Sequence, residues 1–315
     1  MNIKRRVKLI IYWFFDLSLK VVKFLILKLK KIDSPWADHK NLEKGTRFVE
    51  RFREIISDPL NNLIERVPEA GFVNNNTVFL HNGNKVSIDG PFSYYDSFSE
   101  ILIINRGVHE PLEEFCFQEM LNLFSKSPVS LELGSYWAHY SMWIQKVFPD
   151  AKCFMVEPDL KSLKCGIHNF EINGFEGDFI NEFVSEQCFS VDKFFSEKKL
   201  DHLDILHSDI QGYELEMLNG ARSSIKEKKI RYLFISTHSE EIHSKTLSFL
   251  SSEGYDIEVS SNFNDHTTSS DGFILASSPE VTKIFSPSFK PLGRKKIAFS
   301  NVKETLDSLN FYKEK

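Results

Sequence analysis

The chain has 315 residues, 42% of them apolar and 26% charged, with a net charge of −5. This is an ordinary globular composition, long enough for one large domain with an appendage or for two small domains. The acidic balance excludes a general nucleic-acid binder, which would carry a strong basic excess. The four cysteines, Cys116, Cys153, Cys165 and Cys188, form no CxxC pair and read as reduced thiols with no zinc site.

Residues 1–33 are predicted to form a basic amphipathic helix. Its charges from Lys4 to Lys31 are almost all positive, and they flank the apolar run LIIYWFFDLSLKVVKFLIL. Asp16, Lys20 and Lys23 fall on one helical face, where each would cost about 2.5–3.5 kcal/mol at a bilayer centre. The helix therefore suits the membrane interface, against anionic lipid, better than a span. Packing on the domain or on a partner chain is the alternative. Asp16 and the lack of a small-residue cleavage site argue against a secretory signal. The expected location is the cytoplasm, at the inner face of the membrane if the helix meets lipid.

Residues 34–109 read as a helical and hairpin subdomain. Phe48, Val49, Phe52, Ile55 and Ile56 form one apolar face, and Asp58-Pro59 restarts a helix carrying Leu60, Leu63, Ile64 and Val67. VFLH and KVSI flank Asn82-Gly83, a strong hairpin signal. A helix over Glu113–Phe124 then leads into a domain at 110–279. There the predicted strands are SLEL, KCFMV, GDFINEFV, LDILHS, RYLFIST, YDIEVS and GFILAS. The predicted helices lie near Tyr140–Phe148, Leu160–Asn173, Leu215–Glu227 and Glu240–Glu253. Such alternation predicts an α/β fold with a mostly parallel sheet covered on both faces. The last two strands have only a polar loop between them and should form an antiparallel pair at the sheet edge. Residues 280–315, with Lys290, Arg294, Lys295 and Lys296, read as a solvated tail.

Acids and glycines at strand ends carry the chemistry. Leu131-Glu132-Leu133-Gly134-Ser135 ends the first main strand and Glu157-Pro158 the second. An acid about 20 residues after a glycine turn is placed to accept two ribose hydroxyls. A dinucleotide site would need G-x-G-x-x-G, but only Gly134 is present and Ala138 stands where another glycine would be. Glu132 would repel a pyrophosphate yet suit a sulfonium or amino group. These charges favour S-adenosylmethionine over NAD. The strand LDIL runs into Asp209, then Gln211-Gly212, then Glu214 opening a helix. Asp209 faces the ligand crevice or caps that helix. His238, after RYLFIST, opens onto the same crevice as a neutral imidazole suited to base catalysis, or is a hydrogen-bonded strand-end histidine. Asp271 could complete a carboxylate–histidine set. Asp209, His238 and Asp271 could instead hold a divalent metal, which nothing in their spacing requires. His243 reads as a surface residue and Glu214 as structural.

Over about Glu110 to Ala276 the chain resembles the FkbM-type S-adenosylmethionine-dependent methyltransferases. LELGSYWAHYS, VEPD, Asn169 and Asn173 in HNFEING, Val191-Asp192-Lys193-Phe194 and LHSDIQGYELEMLNGA carry the resemblance, and HEPLEEF is also similar. The family's first motif, Asp-x-Gly-Ala-Asn-x-Gly, is altered here at Glu132, Ser135, Tyr136 and Ala138, and Gln211 stands where glutamate is common. The resemblance implies a Rossmann-like, seven-stranded class I methyltransferase fold and methyl transfer, usually to a hydroxyl. In that frame Gly134 and Ser135 approach the methionine part, Glu132 its amino group, and Glu157 the ribose. Ser185 lies where adenine is contacted, and Asp209 and His238 serve the reaction. The expected acceptor is a sugar hydroxyl of a glycan or lipid-linked glycan. The competing class is a non-catalytic module that keeps the fold.

Overall fold

The three strand-end residues Gly134, Glu157 and Asp209 become neighbours through sheet register. In the computed structural model, which describes residues 48–94, 99–263, 268–269, 271–286, 290–293 and a few single positions beyond, seven strands form the main sheet. They are β4 (Val129–Leu133), β5 (Lys152–Val156), β6 (Asp178–Ile180), β7 (Leu203–Ser208), β8 (Ile230–Thr237), β9 (Asp256–Ser261) and β10 (Gly272–Ser277). Their order is β6-β5-β4-β7-β8-β10-β9. Neighbours from β6 to β8 are parallel, and β10 runs antiparallel to both β8 and β9. This is the Rossmann-like class I methyltransferase fold, with the expected antiparallel hairpin at its edge. The chain order reverses at β4, between β5 and β7, where an open α/β sheet leaves its ligand crevice.

All six residues of β7 and all six of β10 are buried, as expected of strands covered on both faces. Alternate residues face two separate cores. Ile205, Phe234, Phe273 and Leu275 belong to one; Leu206, Leu233, Ile235 and Ile274 belong to the other. The first core also takes in Ile55, Leu60, Leu80 and Val86 from the segment before the sheet. That segment holds α1 (Phe48–Ser57), a 3₁₀ turn (Pro59–Asn62) and a small antiparallel sheet of β1 (Val73–Asn74), β2 (Thr77–Phe79) and β3 (Lys85–Ser87). Residues 47–315 form one compact unit.

The helices are α2 (Glu100–Ile104), α3 (Pro111–Leu121), α4 (His139–Val147), α5 (Leu160–Asn173), α6 (Val191–Lys198), α7 (Glu214–Gly220), α8 (Arg222–Lys226) and α9 (Glu240–Ser252). Asp159 caps α5 by accepting the Ser162 N–H at 2.8 Å, and Gly174 ends it in a left-handed conformation. Three residues of the family motifs are explained by packing. Asn173 pairs with β3 as a strand would, donating to the Lys85 carbonyl and accepting the Lys85 N–H, both at 2.8 Å. Asn169 donates to the Trp137 carbonyl at 3.0 Å. Asp192 accepts the N–H groups of Ser223 and Ser224, capping α8 from another helix.

Several expectations are revised. GDFINEFV is a strand only over Asp178–Ile180, because the Asn181 side chain turns back to donate to the Glu157 and Pro158 carbonyls. The helix expected over Leu215–Glu227 divides at Ala221. Asp58-Pro59 opens a 3₁₀ turn, not an α-helix, and α2 and α6 were not anticipated as helices. His243 is buried, not exposed: Thr237 Oγ1 lies 2.9 Å from its Nδ1 and Ser260 Oγ lies 3.0 Å from its Nε2. The predicted N-terminal helix at 1–33, and Arg294 and Lys295 of the tail, lie outside the described residues. Among the described residues no helix is long and apolar enough to cross a membrane.

Candidate active site

Leu133 pairs with Val156 on one side and Ser208 on the other. The next residues, Gly134, Glu157 and Asp209, therefore stand side by side at the carboxyl edge. Gly134 has a φ of +70°, and a Cβ there would meet the Asp209 carbonyl oxygen at 1.8 Å. Glycine is required for both reasons. The Gly134 and Ser135 N–H groups donate to the Val156 carbonyl at 2.9 and 3.1 Å, and the Asp209 N–H donates to the Leu133 carbonyl at 3.0 Å. These bonds fix three strand ends as one rim.

Beside the rim lies a cleft of about 410 Å³, walled by Gly134, Tyr136, Glu157, Asp209 and Gln211 and closed by Ser93 from the chain before α2. Glu157 is oriented by its own loop: one carboxylate oxygen accepts the Tyr136 N–H at 3.1 Å and the other the Asp159 N–H at 3.0 Å. Each oxygen keeps a lone pair for a ligand hydroxyl. Burial raises its pKa, which backbone bonds partly offset.

Asp209, one-third exposed, is the cleft's second anion. Gln211 Nε2 donates to its Oδ1 at 2.9 Å, and His238 Nε2 lies 3.2 Å from the same oxygen. His238 Nδ1 is 2.7 Å from Glu214 Oε1, and Asp271 Oδ1 is 3.7 Å from Nε2. The structure thus brings together Asp209, His238 and Asp271, with Glu214 behind them. Burial alone would lower the histidine pKa, but bonds and charges from Asp209, Glu214 and Asp271 win and push it up to about 10. The neutral imidazole expected from the sequence is therefore an imidazolium at neutral pH, which cannot accept a proton. Asp209 shifts the opposite way. Burial would raise its pKa, yet the bond and charge of His238 hold it below the ordinary value. Its side chain caps no helix, since Tyr213 precedes α7 without a side-chain bond.

Three other predicted residues are not in the cleft wall. Glu132 projects from β4 into the first core, where its carboxylate accepts the Ser141 N–H at 2.9 Å and caps the start of α4. Ser135 is buried behind the rim. Ser185 accepts the Cys188 N–H at 3.1 Å, in the turn that follows the short β6. Sequence reasoning gave no role to Tyr136, although it stands in the first motif, and missed Ser93, which no motif marks, and the Glu214–His238 pair, which joins residues 24 apart.

The cleft fits S-adenosylmethionine on three observations: a rim that only glycine can form, a carboxylate with lone pairs that can accept ligand hydroxyls, and a second carboxylate able to face a sulfonium. Ala138, in place of a family glycine, has a φ of 59° and heads α4. Its methyl group is buried near Gly166 of α5 and does not enter the cleft wall. Glu157→Ala is expected to weaken S-adenosylhomocysteine binding about tenfold or more, the loss of roughly 1.5–3 kcal/mol for each hydrogen bond to a charged group. Isothermal titration measures it, and unchanged affinity would remove Glu157 from the cofactor site.

The His238 ion pairs also set a pH window. The folded pKa of about 10 exceeds the unfolded 6.5, so the stabilisation is complete below pH 6.5 and declines as pH rises to about 10. Thermal melts of wild type should lose stability relative to His238→Gln between pH 7 and 10, where the neighbouring carboxylates stay ionised. Parallel pH profiles for the two proteins would contradict a protonated His238.

The methyltransferase FkbM domain model matches residues 78–257. No curated protein matches the chain. Among solved structures, the chain is similar to precorrin-6y C5,15-methyltransferase from Geobacter metallireducens GS-15, with 13% identity, 53% of this chain and 87% of that one covered, and a TM-score of 0.40. It is similar to TrmK of M. capricolum bound to S-adenosyl-homocysteine, with 15% identity, 62% and 81% coverage and a TM-score of 0.38. It is also similar to a ribosomal protein L11 methylase from Lactobacillus delbrueckii subsp. bulgaricus, with 10% identity, 52% and 76% coverage and a TM-score of 0.39. The family model covers more than half of the chain and the glycine–acid cleft falls within it: the protein belongs to the FkbM family of S-adenosylmethionine-dependent methyltransferases.

Proposed function

We propose that this methyltransferase acts on a hydroxyl oxygen, with Asp209 as the base and His238 as its positioning residue. The observation that carries the reading is a carboxylate in the cleft wall with the half-buried His238 ring 3.2 Å from it. S-adenosylmethionine supplies an activated methyl group on a sulfonium, so the protein need only place an acceptor oxygen in line and remove its proton. Asp209 orients the acceptor hydroxyl and takes that proton as the oxygen–carbon bond forms and the carbon–sulfur bond breaks. His238 keeps Asp209 in place, and Glu214 and Asp271 keep His238 charged. Glu157 holds the ribose hydroxyls.

The proposed acceptor is a sugar hydroxyl of a glycan or lipid-linked glycan. The cleft wall is polar and its acids outnumber its one cation, Lys161, which suits an uncharged polyol better than an anion. The basic, apolar sequence of residues 1–33 favours an acceptor presented at the inner face of a membrane. The test uses glycans from cells lacking the protein, incubated with purified full-length protein and methyl-labelled cofactor. The expected product gains one CH₂ unit as an ether that survives base treatment. Label released by mild base, as an ester, or found only on nitrogen overturns O-methylation of a hydroxyl. Liposome flotation of full-length protein against a chain lacking 1–33 tests the membrane contact, and equal flotation overturns it.

Glu132, which replaces the family's aspartate and bonds the start of α4 outside the cleft wall, favours a second reading, a non-catalytic module that keeps the fold. Calorimetric titration with S-adenosylhomocysteine separates the two, since a well-folded protein giving no heat would not be a methyltransferase.

A further inference from the structure

Apart from the cleft, the described residues contain one cluster with the composition of a metal centre. His81 lies in the β2–β3 turn, His109 precedes α3, Glu114 is in α3 and His139 is the first residue of α4. All four are at most 3% exposed, and none lines the cleft. One ligand atom each from His81, Glu114 and His139 lies within 4.8 Å of the others.

Hydrogen bonding accounts for only part of this cluster. Glu114 Oε1 accepts the N–H groups of His109 and Glu110 at 2.8 and 2.9 Å, and His109 Nδ1 lies 2.6 Å from it. Glu114 Oε2 and His81 Nε2 face each other at 3.1 Å without hydrogen-bond alignment. Neither ring nitrogen of His139 has a hydrogen-bond partner, although the side chain is buried. A buried imidazole with both nitrogens idle is rare, because each would cost its desolvation. Ligand atoms about 2.0–2.2 Å from a tetrahedral zinc lie ~3.3 Å from one another. The 3.1 Å from His81 Nε2 and the 4.0 Å from His139 Nε2 to the Glu114 oxygens bracket that spacing.

We propose that His81, His139 and Glu114 hold a divalent cation of the zinc class, with His109 behind them against the Glu114 carboxylate. Nitrogen and carboxylate donors in a closed, buried set match that metal. The cation fastens the β1–β3 sheet to α3 and α4, and the backbone N–H groups on Glu114 Oε1 orient its carboxylate from the outer shell. Trp137 stacks on His139 at 4.8 Å, and Trp143 meets His81 edge-on at 4.3 Å, so two indoles adjoin the cluster.

The test uses full-length protein stripped with a chelator and titrated with zinc chloride in competition with a chromophoric chelator. One equivalent should bind and raise the melting temperature. His139→Gln and Glu114→Gln should each weaken binding by more than the roughly 10–100-fold that loss of an outer-shell partner costs. His238→Gln, in the other histidine–carboxylate set, should retain it. Cobalt(II) provides a second readout that needs no ligand variant. In a chain carrying Trp13→Phe and Trp36→Phe, it should quench the fluorescence of Trp137 and Trp143. No uptake above a metal-free control, uptake unchanged in His139→Gln, uptake lost in His238→Gln alone, or no quenching by cobalt overturns the proposal.

Discussion

Asp209→Asn is expected to lower kcat by roughly 10²–10⁴-fold, the range for loss of a positioned general base, while S-adenosylhomocysteine affinity changes little. Asparagine keeps the shape of the side chain and can still accept from Gln211 Nε2, so the rim and Glu157 should not move. It removes the negative charge that His238 faces at 3.2 Å. The His238 pKa should fall in this variant, since Asp209 does most to raise it. Asp209→Glu keeps the charge but displaces it, and should recover only part of the rate. A positioning role without proton transfer would give a different pattern: KM would rise, and kcat would fall by less than tenfold. Full turnover in Asp209→Asn, with normal cofactor binding, would remove the residue from the mechanism. His238→Gln separates the supporting role from the chemical one. It should lower kcat less than Asp209→Asn and shift the acidic limb of the rate profile upward, because Asp209 loses the partner that depresses its pKa.

The parts of this site that sequence could supply are those set by local geometry. The helix α5 spans Leu160–Asn173 as expected, since Asp159 and Gly174 bound it and caps act within one turn. LDILHS and GFILAS are strands as read, because both of their faces are buried. Gly134, Glu157 and Asp209 were legible as strand ends, and parallel register then placed them together. What lay beyond reach is pairing across distance. Glu113 and Glu114 sit in HEPLEEF, where two adjacent acids on a helix ordinarily mean a solvated face. Both are buried, Glu113 against His207 at 2.5 Å and Ser236 at 3.0 Å, and Glu114 among the histidines of the proposed metal centre. His243 was misread in the same way, since nothing local reveals Thr237 and Ser260 as its partners. His238 reaches the cleft only through Asp209, and its charge depends on three carboxylates from three other segments. Ala138 shows the converse error. Its φ of 59° is one that glycine would adopt without strain, yet the buried methyl packs against α5 and the turn survives.

Gly134→Ala should be the most damaging single-carbon change in the domain. Two costs combine at this position. A non-glycine residue in the left-handed region costs about 1–2 kcal/mol, and the new Cβ would stand 1.8 Å from the Asp209 carbonyl oxygen, a backbone atom that cannot rotate away. Forcing apart packed groups typically costs a further 1–3 kcal/mol, giving about 2–5 kcal/mol in total and a fall in melting temperature of roughly 5–15 °C for a domain of this size. Gly212→Ala is the control. Gly212 also has a positive φ, of 103°, but no atom lies within 4 Å of a Cβ built there, so only the conformational cost applies. The difference between the two variants therefore isolates the contact between the β4 and β7 ends. That contact joins the Gly134 side of the cleft to the Asp209 side, the proposed cofactor and reaction sides. Relieving it must push the Asp209 backbone away from Gly134, which shifts the carboxylate relative to His238 and Gln211. Gly134→Ala should consequently lose S-adenosylhomocysteine binding and turnover together, even at temperatures where it stays folded. Gly212→Ala should keep measurable binding. Equal melting temperatures for the two variants, or normal binding in Gly134→Ala, would show that the rim yields without cost and that the cleft is not organised around it.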